Sequence, residues 1–280
     1  MRTIRFHKMH GAGNDYIYVY DINMIIGNPQ QLSVKISNRH FGVGSDGLVI
    51  IMPSDKADFR MRIFNSDGSE AKMCGNASRC VGKYVYELGL TTNDTVTLET
   101  LSGIKTLKLD IGSNNTVRNV CVDMGTPSLH PRSIPVNYPK NINIPVTINN
   151  ITHMLTCVSM GNPHAVIFTD DTENADVAGT GMAIENNLTL FPDRCNVEFV
   201  RVINRSLLEM RVWERGSGET LACGTGACAS LVAAVLNGLC DRSAKIKLRG
   251  GNVDVTWDSE TGKVYLYGGA EWVFSGEYKY

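Results

Sequence analysis

Two stretches of the chain share one pattern of apolar and polar positions. After Cys74, apolar residues fall at Ala77, Cys80, Val81, Tyr84, Val85 and Leu88, and Gly89 follows. That spacing marks one face of a helix, with the glycine as its stop. After Cys223, the run from Ala227 to Leu236 is apolar nearly all round and ends at Gly238. A helix apolar on every side belongs inside a domain. The interval from cysteine to stop glycine is 15 residues in both stretches. Beyond each predicted helix the pattern changes to alternation of apolar and polar residues, which predicts strands. Val96–Glu99 turns at Ser102-Gly103 into Ile104–Leu109, and Lys245–Leu248 turns at Gly250-Gly251 into Val253–Trp257.

The shared pattern belongs to an internal repeat. Met61-Arg62-Ile63-Phe64, Glu70 and Cys74-Gly75 match Met210-Arg211-Val212-Trp213, Glu219 and Cys223-Gly224 at a constant offset of 149 residues. Gly13-Asn14 corresponds to Gly161-Asn162 at an offset of 148. Each half therefore reads as strands, a loop, a cysteine at a helix start, a buried helix and more strands. The prediction is an α+β protein of two pseudo-symmetric domains, each a mostly antiparallel sheet wrapped around a central helix, dividing around Asp123 to Pro135. The βαβ alternation that would demand a doubly wound parallel sheet is missing.

Composition narrows the function. At 280 residues the chain has room for two cores of ordinary size, and 43% apolar with 20% charged residues is a globular composition. A net charge of -1 offers no electrostatic attraction for nucleic acid or anionic lipid. The longest uncharged apolar run is too short to span a bilayer, and residues 1–8 contain no apolar signal segment, so a cytoplasmic protein is expected. In a reducing compartment most of the eight cysteines are expected to be small buried hydrophobes, Cys121, Cys157, Cys195 and Cys240 among them. No C-x-x-C or H-E-x-x-H motif occurs and the six histidines are scattered, so no metal is expected. Gly42-Val43-Gly44-Ser45-Asp46-Gly47 fits G-x-G-x-x-G, but it precedes an apolar strand instead of following one, which argues against a nucleotide site.

The repeated cysteines carry the chemistry. A cysteine at the first turn of a helix meets unpaired backbone N–H groups and the positive end of the helix dipole, which favour its thiolate. The same N–H groups can hold a carboxylate, and Gly75 and Gly224 let backbone approach a ligand closely. Two such helix starts facing one amino acid would supply a base on one face of its α-carbon and an acid on the other. That is the requirement for inverting a stereocentre without a cofactor. His164 and Glu214 are candidates for tuning the thiols.

These segments together resemble the diaminopimelate epimerase family. Lys8-Met9-His10-Gly11-Ala12-Gly13-Asn14-Asp15 looks like its opening motif, and Phe64 to Glu70 with Cys74-Gly75-Asn76 is similar to its first cysteine motif. Gly161-Asn162-Pro163-His164, Glu214-Arg215-Gly216 and Ala222-Cys223-Gly224-Thr225-Gly226-Ala227-Cys228 match the rest. The resemblance implies interconversion of LL- and meso-diaminopimelate without a cofactor, in lysine and peptidoglycan precursor synthesis. It implies Cys74 and Cys223 as the acid/base thiols. Substrate would be bound by Asn14, Asn65, Gly75, Asn76, Asn162, Asn196, Glu214, Arg215, Gly224 and Thr225, with His164 and Glu214 adjusting the thiols. The halves would be residues 1–122, joined by a C-terminal strand at 269–280, and residues 123–268. A homodimer is also implied, with Phe274 in its interface where the family has a tyrosine. Gly47 stands where some members have a glutamine, and Ala77-Ser78 replaces a more usual Gly-Ala. The alternatives are a two-cysteine racemase of another amino acid, of the histidine or proline type, and a thiol redox or amino-acid-binding protein.

Overall fold

The computed structural model describes residues 2–280. Its chain divides into two compact units, one running from the N-terminus to Asp123 and taking in Tyr267–Tyr280, the other Met124–Leu266. In the first unit the order is β1 (Thr3–Gly11), β2 (Asn14–Tyr20), α1 (Pro29–Ser37), β3 (Gly47–Met52), β4 (Phe59–Asn65), β5 (Glu70–Ala71), α2 (Gly75–Glu87), β6 (Thr95–Thr100), β7 (Gly103–Ile111) and β8 (Val117–Gly125). The second unit holds β9 (Ile144–Ile148), β10 (Ile151–Ser159), β11 (Pro163–Phe168), α3 (Val177–Glu185), β12 (Asn196–Asn204), β13 (Leu207–Glu214), β14 (Gly218–Thr220), α4 (Gly224–Leu236), β15 (Ser243–Leu248), β16 (Gly251–Trp257) and β17 (Val264–Gly268). The boundary falls within β17, the chain rejoining the first unit at Tyr267, and β18 (Glu271–Lys279) lies wholly in that unit.

The repeat seen in the sequence is a repeat of topology. In the first unit β1 pairs antiparallel with β2, β2 parallel with β3, β3 antiparallel with β4, and β4 parallel with β6, which forms a hairpin with β7. In the second unit β10, β11, β12, β13, β15 and β16 follow each other with the same senses. The sheets are mostly antiparallel, but each contains two parallel pairs that the alternation pattern did not disclose. A helix lies within each parallel crossover: α1, α2, α3 and α4 in turn. The smaller helices α1 and α3 explain the omission, since each is only 9 residues long. Their side-chain caps, Asn28 on Gln31 N–H and Asp176 on Gly179 N–H, are local signals that periodicity does not read.

The two long helices are central, as expected. Helix α4 packs against β10, β11, β12, β13, β15 and β16, and α2 against β1, β2 and β7. Each has 13 residues and ends at a glycine with φ of +70°, Gly89 and Gly238, a conformation open to glycine without steric cost. Their surfaces differ. Helix α4 is apolar nearly all round, whereas α2 buries Arg79 and Lys83. Arg79 Nε donates to the Gly269 carbonyl (3.1 Å) and Lys83 Nζ to the Val117 carbonyl (2.9 Å), so Arg79 ties the returning segment to the helix and Lys83 the start of β8. Strand β18 completes that closure by pairing with β1 from Thr3↔Lys279 to His10↔Glu271, and Trp272 Nε1 donates to Glu87 on α2. Among the described residues no helix is long and apolar enough to cross a membrane.

Candidate active site

Each cysteine is delivered by a loop that an ion pair fixes. The conserved spacing of arginine and glutamate in the repeat is a cross-strand clamp: Arg62 on β4 bonds Glu70 on β5 through Nε (2.7 Å) and Nη2 (2.9 Å). Arg211 on β13 bonds Glu219 on β14 in the same two-pronged way (2.8 and 3.1 Å). Bidentate pairs of this kind add geometric definition as well as energy. The guanidinium holds the Glu70 carboxyl below its ordinary range. Met61 and Met210, which precede the arginines, are buried core residues. The clamps therefore set the strand pair from which the chain enters α2 and α4, with Cys74 and Cys223 as the two N-caps.

In the first unit the Cys74 thiol is half-buried and donates to Asn14 Oδ1 (3.6 Å), which also accepts from Asn76 Nδ2 (3.3 Å). Asn14 is oriented from behind, its Nδ2 donating to Asp46 Oδ2 (2.7 Å). Asp46 also accepts the Asp15 N–H, and Asp15 is held by Lys8 and Arg39. Burial raises the Asp46 carboxyl and the neighbouring Asp15 adds to it, against the lowering effect of the Asn14 bond. The Cys74 thiol and the Asn76 amide thus share the Asn14 oxygen. Asn65, at the end of β4, bonds Ser69 (3.0 Å). Gly47 faces Asn65 and Tyr16 across β3, and a Cβ there would lie 2.1 Å from the Phe64 carbonyl oxygen. The glycine at 47 is a requirement of this backbone, so no longer side chain can reach out from it.

In the second unit the surroundings of the thiol are charged. Cys223 is buried, and its sulfur accepts from Gly226 N–H (3.4 Å) and lies 3.5 Å from Thr225 Oγ1. Burial pushes its thiol well above the ordinary value, reinforced by the carboxylates of Glu214 and Glu198 and opposed by the Thr225 and Gly226 bonds. Glu214, at the end of β13, accepts from Thr220 Oγ1 and from the Cys223 thiol; burial raises its carboxyl and those two bonds pull it back. His164 is fully buried between Glu198 Oε1, 2.6 Å from Nδ1, and Asn162 Oδ1, 3.1 Å from Nε2. Asn162 Nδ2 reaches Thr225 Oγ1 (3.3 Å). Asn196 Oδ1 accepts the Arg215 backbone N–H (2.8 Å), and the exposed Arg215 guanidinium donates to the Asp193 carbonyl (2.7 Å).

The expected site residues thus gather in two sets. Asn14, Asn65, Gly75 and Asn76 accompany Cys74, and Asn162, His164, Asn196, Glu214, Arg215, Gly224 and Thr225 accompany Cys223. Strand register makes the equivalence explicit. Tyr16 pairs with Gly47 as His164 pairs with Asn196, and Phe64 with Glu70 as Trp213 with Glu219. Three residues that touch these side chains lie outside the sequence motifs that carry the resemblance: Asp46, Glu198 and Thr220. A lone glutamate inside the apolar run Val197-Glu198-Phe199-Val200 is itself a signal, because an unpaired carboxylate is almost never placed in a core. Asp46 lay inside the glycine motif that had been set aside as a nucleotide site. Of the cysteines expected in the core, Cys157, Cys195 and Cys240 are there, whereas Cys121 on β8 is only partly buried.

Comparison with known proteins first gives the class of fold. A hydroxyproline epimerase structure from Agrobacterium vitis superposes with a TM-score of 0.73 at 15% identity, covering 99% of this chain and 91% of that one. A PhzF-family phenazine biosynthesis protein from Bacillus anthracis gives a TM-score of 0.73 at 16% identity over the whole of both chains. At such identities the likeness is one of fold alone: the chain has the duplicated two-unit architecture on which these proteins are built. Sequence goes further. The diaminopimelate epimerase family model matches residues 6–130 and 156–273. The diaminopimelate epimerase of Acetivibrio thermocellus is 54% identical over 276 residues, 98% of each chain, and that of Methanococcus maripaludis strain C6 is 52% identical over 98% of this chain and 99% of its own. The chain belongs to the diaminopimelate epimerase family.

Proposed function

We propose that this protein interconverts LL- and meso-diaminopimelate, moving the α-proton with the thiols of Cys74 and Cys223 and no cofactor, as a cytosolic step toward lysine. One observation carries the reading: a frame of strands, ion-pair clamp and buried helix occurs twice, and each time its helix N-cap is a cysteine. In one direction a thiolate takes the α-proton while the other thiol delivers its own proton to the opposite face of the carbon. The reverse reaction exchanges their roles. At Cys223 the thiolate forms when the S–H proton passes along its bond to Glu214, a carboxylate whose affinity for protons burial has raised. The N–H groups opening α2 and α4, with Gly75 and Gly224 first in line, stabilise the charge that develops on the substrate carboxylate.

The remaining assignments follow from the neighbourhoods. Asn14, Asn65, Asn76, Asn162, Asn196 and Thr225 give neutral hydrogen bonds, Glu214 attracts an ammonium group as the substrate binds and before it takes the thiol proton, and Arg215 attracts a carboxylate. Phe274, half-exposed on β18 and stacked edge-on to Phe6, is assigned to a homodimer interface. Incubation with LL-diaminopimelate in heavy water is expected to yield meso product deuterated at the inverted carbon, and Cys74→Ala or Cys223→Ala to lower the rate on the order of 10³-fold. Absence of both product and deuterium refutes the epimerase reading, leaving a racemase of another amino acid or a thiol protein to be tested. Near-normal turnover in either variant refutes the two-thiol mechanism.

A further inference from the structure

The second unit holds a chain of polar contacts that runs from Glu198 to Cys223. It starts at Glu198, on β12, with both carboxylate oxygens buried and Oε2 without a hydrogen-bond partner. It continues from Glu198 Oε1 to His164 Nδ1 (2.6 Å), from His164 Nε2 to Asn162 Oδ1 (3.1 Å), from Asn162 Nδ2 to Thr225 Oγ1 (3.3 Å), and from Thr225 Oγ1 to Cys223 Sγ (3.5 Å). The positions equivalent to Glu198 and His164 in the first unit are Val49 and Tyr16. There Asn14 touches the cysteine directly and is anchored by Asp46.

Hydrogen-bond accounting gives this chain a direction. Asn162 Oδ1 only accepts, so His164 Nε2 carries a hydrogen. Asn162 Nδ2 only donates, so Thr225 Oγ1 accepts from it and its own hydrogen is left for the sulfur. On the other side of the ring, Asn196 Oδ1 is occupied by the Arg215 N–H, which turns Nδ2 of Asn196 toward His164 Nδ1 (3.4 Å). One proton remains to be shared between His164 Nδ1 and Glu198 Oε1. Every donor from His164 onward therefore points toward Cys223, and Gly226 N–H adds one more.

We propose that Glu198 is a positioning residue for the reaction, fixing His164 in the form with hydrogen on Nε2 so that the Asn162–Thr225 chain ends in a donor to Cys223 Sγ. The proposal rests on the reading of Cys223 as one of the two acid/base thiols. It makes the polar chain a device for stabilising the thiolate of one cysteine only. The titratable neighbours facing the cluster are Glu214 on β13, Cys157 on β10 and Cys195 just before β12, and α4 contributes an amide and a hydroxyl. With Val at 198, as at the equivalent Val49, the short contact to Nδ1 is lost and only the long one from Asn196 Nδ2 (3.4 Å) remains on that side. The imidazole is then free to take the other tautomer, which turns Asn162 over and withdraws the Thr225 hydroxyl from the sulfur.

The test compares Glu198→Val and Glu198→Gln with the native enzyme, assayed with diaminopimelate in both directions across pH. Glu198→Val is expected to lower kcat by about tenfold with KM changed by less than about twofold, and to move the acidic limb of kcat/KM up by about one pH unit. Glu198→Gln, whose amide can donate to Nδ1, is expected to restore most of the rate. An unchanged pH profile in an active Glu198→Val enzyme, or equal damage in the glutamine variant, overturns the proposal. ¹⁵N spectra of the native enzyme, with His164 identified by its loss in His164→Asn, give a readout independent of the Glu198 variants' folding: hydrogen on Nε2 supports it, and hydrogen on Nδ1 alone overturns it. Failure of the native enzyme to turn over diaminopimelate would instead count against the epimerase reading.

Discussion

Replacing Gly226 by alanine exposes a position where the two copies cannot share a residue. Gly226 is the third residue of α4, and the equivalent position of α2 is Ala77. An added Cβ would lie 2.7 Å from Glu198 Oε1 and 3.3 Å from Cys223 Sγ. Reaching ordinary contact at 3.4 Å requires the carboxylate to retreat by roughly 0.7 Å. Glu198 is fully buried and its oxygen is tied to His164, so it has no free volume to retreat into. Overpacking of this kind costs about 1–3 kcal/mol, and weakening the His164 bond adds about 1 kcal/mol. The better helix propensity of alanine returns about 1 kcal/mol, so a net loss of about 2 kcal/mol is expected. Combined with Glu198→Val, the same substitution recreates the first unit's pair, Ala77 with Val49, and should be neutral or stabilising by up to about 1 kcal/mol. Urea unfolding of the four proteins, followed by far-ultraviolet circular dichroism, measures the coupling, expected at about 2–3 kcal/mol. An equal cost of Gly226→Ala in both backgrounds would refute the steric account.

Two further outcomes follow from other parts of the structure. Burial pushes the Cys80 thiol on α2 from an ordinary value near 9 up to about 12, so above pH 9 the unfolded chain gives up a proton that the folded one keeps. The stability contributed by Cys80 should therefore be intact below pH 9 and fall by about 1.4 kcal/mol per pH unit from there toward 12; Cys80→Ala should make the decline of urea midpoints between pH 9 and 11 shallower, and an equally steep decline would count against it. Asp46→Ala frees the Asn14 amide to turn away from Cys74, and is expected to lower kcat/KM roughly tenfold while the protein stays folded. An unaltered kcat/KM would show that Asn14 holds its orientation without that carboxylate.

What could be read from the sequence was what is periodic or repeated. Both central helices, their glycine stops and the hairpins beyond them stand where alternation and helical spacing predicted, because each buries one side against its own unit. The parallel pairings were hidden, since β2 and β3, or β4 and β6, are joined by long crossovers whose partner choice leaves no local trace. The amphipathic reading of α2 also passed over Arg79 and Lys83, charges made tolerable by backbone carbonyls at Gly269 and Val117 far along the chain. It placed Leu88 on the apolar face, yet Leu88 is exposed just past the helix end. At the thiols, residues of the repeated motifs were legible and their supports were not. Asp46, Glu198 and Thr220 act through Asn14, His164 and Glu214, and such partners are chosen by three-dimensional proximity across strands.

The return of β18 to the first unit has a consequence for synthesis on the ribosome. Domains usually mature in the order they are translated. Here the residues that emerge first contain β1 without the edge partner it later receives from Thr3↔Lys279 to His10↔Glu271, and α2 without the carbonyl that receives Arg79. The second unit, Met124–Leu266, is by contrast continuous in the chain. Nascent protein should therefore acquire protease resistance around Cys223 before it does around Cys74. The older half of the polypeptide waits for the younger, with a strand edge open to pairing meanwhile.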